Sequence, residues 1–184
     1  MLDATRSREV GRARAASQDG CSNAVVRFEP EANHRYLVRV RSAARGQAAA
    51  PFHLTCLGGK LQYATARGSI PFPADGDEVV AVGAVDGKGR RLSYSSCGPT
   101  ASGPKPDLAA AVPFPSVWRP EQPFAGTSAA APQGAGLAAL VWTRRPDWGG
   151  TRVRQELTRA AAKLRQGHCC ETGHGVARLP SLER

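Results

Sequence analysis

Residues 124–142 read FAGTSAAAPQGAGLAALVW. Small side chains run from 126 to 139, then Leu140, Val141 and Trp142 follow. Arg144 and Arg145 close the run, and Pro146 stops it. This pattern predicts a helix of about 16 residues, with cations at the end where the helix dipole favours them. Its alanine and glycine faces would let it pass close to other backbone, so a buried helix is expected. Ser128 stands in the first turn. A hydroxyl is a poor nucleophile until a base takes its proton. The negative oxygen formed on a substrate needs donors aimed at it. The first N–H groups of a helix lack internal partners and can serve as such donors. Pro132, four residues on, has no N–H, so the carbonyl of Ser128 loses its helical partner. Gly126 allows a substrate backbone to come near.

Outward from this helix, VVAVGAV at 79–85 is a continuous apolar run rich in β-branched residues. Both faces of such a strand should be buried, as in a parallel or central strand. Asp86-Gly87-Lys88-Gly89 reads as a turn, and RRLSYSS begins a return. GPTASGPKPDLAAAVPFPS is dense in proline and glycine and reads as loop. After Pro146 a second helix is expected near Thr151, a residue suited to the N-cap. Val153, Leu157, Ala160, Ala161 and Leu164 mark its apolar face. GHGVARL at 173–179 could add a short strand.

The N-terminal third differs. Residues 1–22 are polar and Arg-rich, and read as a flexible basic arm. HRYLVRVRS alternates from Tyr36 to Arg41, the period-2 mark of a half-buried strand. PFHLTCLGGKLQYAT repeats the signal, with Gly58-Gly59 as a two-residue hairpin turn. The expected organisation is therefore an arm at 1–22, an antiparallel β insertion at 23–67 with a loop at 42–50, and an α/β part at 68–184.

GTSAAAP resembles the nucleophile signature G-T-S-x-A-x-P of the subtilisin-like serine peptidases, the subtilases. VVAVGAVDGKGRRLSYSSCGP looks like that family's strand and hairpin before the serine. KPDLAA is similar to its P-D-x-x-A-P-G segment, without the last glycine. AGLAALVWTRRPDWGGTRVRQELTRAAAKL is similar to the nucleophile helix and the next helix, and GHGVARL to a terminal strand. The likeness covers about residues 68–182 and is carried by a seven-residue signature with ordered flanks. It implies a partial, doubly wound parallel sheet and a serine endopeptidase. In it Ser128 would be the nucleophile and its own N–H an oxyanion donor. Gly126 and Thr127 would shape the substrate groove. The partner implied is a peptide or protein substrate.

The departures are specific. The family's order is Asp, His, Ser, with aspartate in D-[ST]-G and histidine in H-G-T. Neither motif is present, nor is the A-A-G-N segment that supplies the oxyanion asparagine. His34 in EANHRYL and His53 in PFHLTC precede Ser128, and both read as surface positions on strands. Asn23 and Asn33 have the wrong surroundings, and Gln133 stands where the family often has histidine. The simplest account is that the N-terminal half of the catalytic domain lies outside this sequence and would be its partner. A non-catalytic remnant, or a binding module built on the β unit, is the alternative.

Composition narrows the rest. The chain has 184 residues and a net charge of +10, and 21 of its 25 basic residues are arginine. They are scattered along the chain without a nucleic-acid motif, so nucleic acid is not the expected partner. No apolar run is long enough to span a bilayer, so no membrane partner is expected. Residues 1–20 carry four arginines and no apolar core of a signal peptide, and the compartment stays open. Five cysteines form no disulfide framework. HCCETGH at 168–174 has zinc-binding residue types, but its spacing matches no finger and a plain loop is preferred. No cofactor and no metal ligand are assigned. An α/β-hydrolase would need glycine at 130, where alanine stands, and a strong strand before Ser128, which RPEQPFAG does not resemble.

Overall fold

A computed structural model of the chain describes residues 1–18, 21–41, 52–164 and 169–181. Its contacts divide it into two units, Met1–Phe52 and His53–Arg184. The first unit holds five short strands: β1 (Leu2–Asp3), β2 (Arg8–Glu9), β3 (Ala16–Gln18), β4 (Cys21–Asn23) and β5 (Tyr36–Leu37). β1 is the centre of a small antiparallel sheet, with β2 on one side and β5 on the other. β3 and β4 pair separately as an antiparallel ribbon. Three of these strands fall within 1–22 and β4 begins there, in a stretch whose polar composition reads as an arm. Backbone pairing orders it instead. The Met1 ammonium donates to the Gly11 carbonyl at 2.6 Å, and the Val10 N–H to the Met1 carbonyl at 3.0 Å.

The alternation at 36–41 is realised only at Tyr36 and Leu37. Tyr36 packs its ring 4.8 Å from that of Phe28, but Leu37, Val38 and Val40 stay exposed. The expected hairpin around Gly58-Gly59 is not formed. Residues 52–66 carry no strand, and Phe52, Leu54, Leu57 and Tyr63 are exposed. A period-2 pattern makes a strand only where a partner surface takes its apolar face. The loop expected at 42–50 lies outside the described residues.

The second unit is built on β6 (Val82–Val85) and β7 (Leu108–Ala111), a parallel pair in register Val82↔Leu108 to Val85↔Ala111. Of the run expected as a strand at 79–85, Val82–Val85 form it, with Gly83, Ala84 and Val85 buried and Val79, Val80 and Val82 half-buried. Asp86 closes the following turn, its carboxylate accepting the N–H groups of Lys88 and Arg90 at 2.9 Å. The hydrogen bond from the Arg90 N–H, with the Arg90 side chain beside it, holds this carboxyl below the usual range against its partial burial. β7 lies inside the stretch expected to be loop. Flanking prolines and an alanine-rich run hide it, yet Leu108, Ala109 and Ala110 are almost wholly buried. A hairpin of β8 (Phe114–Ser116) and β9 (Arg119–Phe124) follows, fully exposed. RPEQPFAG therefore does form a strand, but not a buried one.

Two long helices cover the parallel pair. α1 (Thr127–Arg144) seats Ala129 and Ala130 against Ala84, Ala110 and Val112. At Gly134 a Cβ would lie 2.9 Å from Val82 Cγ2, so a side chain there would push the helix off β6. α1 is buried on one face only, at Ala129, Ala130, Gly134 and Val141, while Leu140 and Trp142 are exposed. α2 (Gly150–Ala160) packs Val153 and Leu157 against Leu108, Val141 and Ala161. Gly149, not Thr151, is its N-cap, and the helix stops before Leu164. α3 (Cys169–Thr172) is a single turn. The tail adds one residue to the sheet: Ala109 donates to Gly175 O at 2.9 Å, and Ala177 donates to Ala109 O at 2.7 Å.

A buried ionic cluster fixes the start of both strands. Asp107 Oδ2 accepts from Lys105 Nζ at 2.8 Å and from the Ala81 N–H at 2.7 Å. Asp107 Oδ1 meets Arg154 Nη2 of α2 at 2.5 Å. Lys105 Nζ also donates to Val79 O at 2.6 Å. Burial alone would raise the Asp107 carboxyl, but the hydrogen bonds from Lys105, the Ala81 N–H and Arg154 outweigh it and hold it below the usual range. Its folded pKa is thus the lower one, so the unfolded chain binds more protons as pH falls. Stability is complete above the ordinary carboxylate range and is lost as pH drops through the folded value. Breaking one partner of a buried pair costs about 3–5 kcal/mol. Asp107→Asn should lower the urea midpoint accordingly at pH 7 and flatten its acid dependence. A midpoint unchanged at pH 7 would contradict this role.

Candidate active site

Ser128 is exposed in the first turn of α1, and Thr127 beside it is exposed as well. The turn is shaped by three residues. Gly126 is the N-cap, at φ 98° and ψ 166°, a region open essentially to glycine alone. Its N–H donates to the Tyr94 hydroxyl at 3.2 Å, and its carbonyl accepts the Ala129 N–H at 2.9 Å. Pro132 lies inside the helix and frees the Ser128 carbonyl. Gln133 Nε2 donates to Ala129 O at 2.9 Å and Ala111 O at 3.1 Å, tying the irregular turn to the end of β7. The backbone N–H of Ser128 is among those without a helical acceptor. The turn therefore carries an exposed hydroxyl next to a half-buried glycine N-cap. Sequence reading singles out Ser128, Gly126 and Thr127 as candidates and leaves out Tyr94, which reaches the turn from 32 residues away.

Among the described residues, Ser128 Oγ makes no hydrogen bond, so no base is positioned on it. His53 is exposed and lies in no strand. His174 is exposed too, and its N–H donates to Asp107 O. His34 belongs to the first unit and is not the plain strand position expected. It precedes β5, and its Nδ1 lies 2.8 Å from Oδ2 of Asp3, a residue 1% exposed. Asp3 Oδ1 accepts the N–H groups of Thr5 at 2.9 Å and Arg6 at 3.2 Å. Composition could not reveal this pairing, because Asp3 and His34 are 31 residues apart. Within HCCETGH, His168 lies outside the described residues. The Cys169 and Cys170 sulfurs are 3.8 Å apart at the start of α3. Burial, then the neighbouring Cys169, pushes the Cys170 thiol up.

A Cβ on residue 126 meets nothing nearer than 3.8 Å. Any cost of Gly126→Ala must therefore come from the backbone angle, about 1–3 kcal/mol. Thermal or urea unfolding checks this, and a loss of less than about 0.5 kcal/mol, within the ordinary surface range, would refute it.

The sequence model of the subtilase family matches residues 15–175. Subtilisin DY of Bacillus licheniformis is 36% identical over 98 residues, covering 53% of this chain and 35% of that protein. Alkaline elastase YaB of Bacillus sp. (strain YaB) is 31% identical over 117 residues, covering 64% of this chain and 30% of that protein. Subtilisin Savinase of Lederbergia lenta is 34% identical over 97 residues, 53% of this chain and 35% of that protein. The chain thus spans about a third of the length of these curated relatives.

Proposed function

The chain belongs to the subtilase family, and from that membership we propose that it is the nucleophile-bearing part of a serine endopeptidase. The observation that carries this is GTSAAAP at the N-terminus of α1, with Ser128 exposed beneath a glycine N-cap. In this reading Ser128 attacks the scissile carbonyl and its own N–H is one oxyanion donor. Gly126 and Thr127 border the groove that takes a peptide or protein substrate. β6 and β7 are two strands of a doubly wound parallel sheet.

The other catalytic groups come from sequence outside these 184 residues. Asp3 and His34 stand in the family's chain order, but in the contexts L-D-A-T and N-H-R-Y rather than D-[ST]-G and H-G-T. They are not carried over as its aspartate and histidine. A triad acts as a unit, and removing its serine or histidine takes about 10⁶ from kcat. The isolated chain should therefore be inert, and the N-terminal half of a subtilase catalytic domain is its expected partner.

A fluorophosphonate probe tests both parts. The purified chain alone should leave Ser128 unlabelled and should cleave casein no faster than Ser128→Ala. Supplied with an N-terminal part bearing the D-[ST]-G, H-G-T and A-A-G-N motifs, Ser128 should become labelled. Stoichiometric labelling of the chain alone would overturn its inertness. No labelling of a folded, complemented protein would overturn Ser128 as nucleophile.

A further inference from the structure

We infer that Glu31 and His34 form a binding site for a borderline divalent metal such as zinc, with Asp3 orienting the histidine. The ligand atoms of Asp3, Glu31 and His34 all lie within 4.8 Å of one another. The geometry sets the roles. Asp3 Oδ1 is taken by the N–H groups of Thr5 and Arg6, and its Oδ2 lies 2.8 Å from His34 Nδ1. One ring nitrogen of His34 is thus committed to a buried carboxylate. The other, Nε2, faces Glu31 Oε2 at 4.0 Å, too far for a hydrogen bond.

A gap of 4.0 Å suits an ion shared by both, since zinc binds imidazole nitrogen and carboxylate oxygen at about 2.0–2.2 Å each. A modest rotation of the half-exposed Glu31 side chain bends the arrangement toward tetrahedral, and water completes the shell. A histidine that ligates through one nitrogen and donates through the other to a carboxylate is the usual second-sphere arrangement of such sites. Arg6 Nη1 holds Glu31 by its other oxygen at 2.7 Å, leaving Oε2 turned to His34. The mix of imidazole and carboxylate favours zinc, cobalt or nickel over calcium or magnesium, which prefer all-oxygen shells. The inference does not depend on the peptidase reading.

The test uses the full chain under reducing conditions, with Zn²⁺ titrated in competition with a chromophoric chelator. One equivalent should bind and should persist in a Cys169→Ser/Cys170→Ser variant. Glu31→Gln and His34→Gln should each weaken it at least tenfold. Co²⁺ bound at the same site should show no thiolate charge-transfer band. Glu31→Gln leaves the Asp3–His34 pair in place, so its result stands even where His34→Gln unfolds the first unit. Absence of zinc binding, undiminished binding in Glu31→Gln, or binding lost with the cysteines would overturn the assignment.

Discussion

The Asp107 carboxylate is the constraint on which the second unit depends. A two-stranded parallel pair has little to hold it, because parallel pairing is weaker per residue and its strands demand burial on both faces. Asp107 supplies the missing anchor. One oxygen takes the Ala81 N–H at the entrance of β6 and the Lys105 ammonium at the entrance of β7. The other takes Arg154 from α2. Burying such a group is costly unless both oxygens are matched, and here they are. The register it sets places Ala84 and Ala110 where Ala129 and Ala130 can seat. The position of Ser128 is inherited from that seat.

This division explains how the Ser128 turn can be complete without a histidine beside it. Everything that shapes the turn comes from the second unit: the Gly126 backbone angle, the Tyr94 hydroxyl, the Pro132 gap and the Gln133 stitch to Ala111. None of these needs a histidine. The activation of the hydroxyl does. Shape and reactivity at Ser128 are therefore separate requirements, and only the first is met by residues hydrogen-bonded to the turn.

What the sequence discloses follows the range of the interaction. VVAVGAV is legible because a strand buried on both faces writes a continuous apolar run. The helix of Ser128 is legible from its small residues and its Arg-Arg-Pro end. β7 is not, because alanines between prolines carry no period, and its burial is imposed by neighbours. The strands of the first unit are two or three residues long, too short for any period. The stretch at 52–66 shows the converse: it alternates well, yet it finds no surface to pair with. The small residues of α1 suggest a buried helix, yet among the described residues Leu140 and Trp142 stay exposed.

Two buried carboxylates show how charge balance separates structure from chemistry. Asp107 faces two cations, Lys105 and Arg154, and its negative charge is matched. Asp3 faces two backbone N–H groups and an imidazole. Its side-chain partner is one imidazole ring, whose other nitrogen lies 4.0 Å from a second carboxylate, Glu31. Arg6 pairs with Glu31 from its far side. Glu31 Oε2 is left facing His34 Nε2 at 4.0 Å, beyond hydrogen-bond reach. A fully matched cluster has nothing left to bind and serves the fold. A cluster whose ring nitrogen and carboxylate oxygen face each other across 4.0 Å leaves a place for the proposed ion between them.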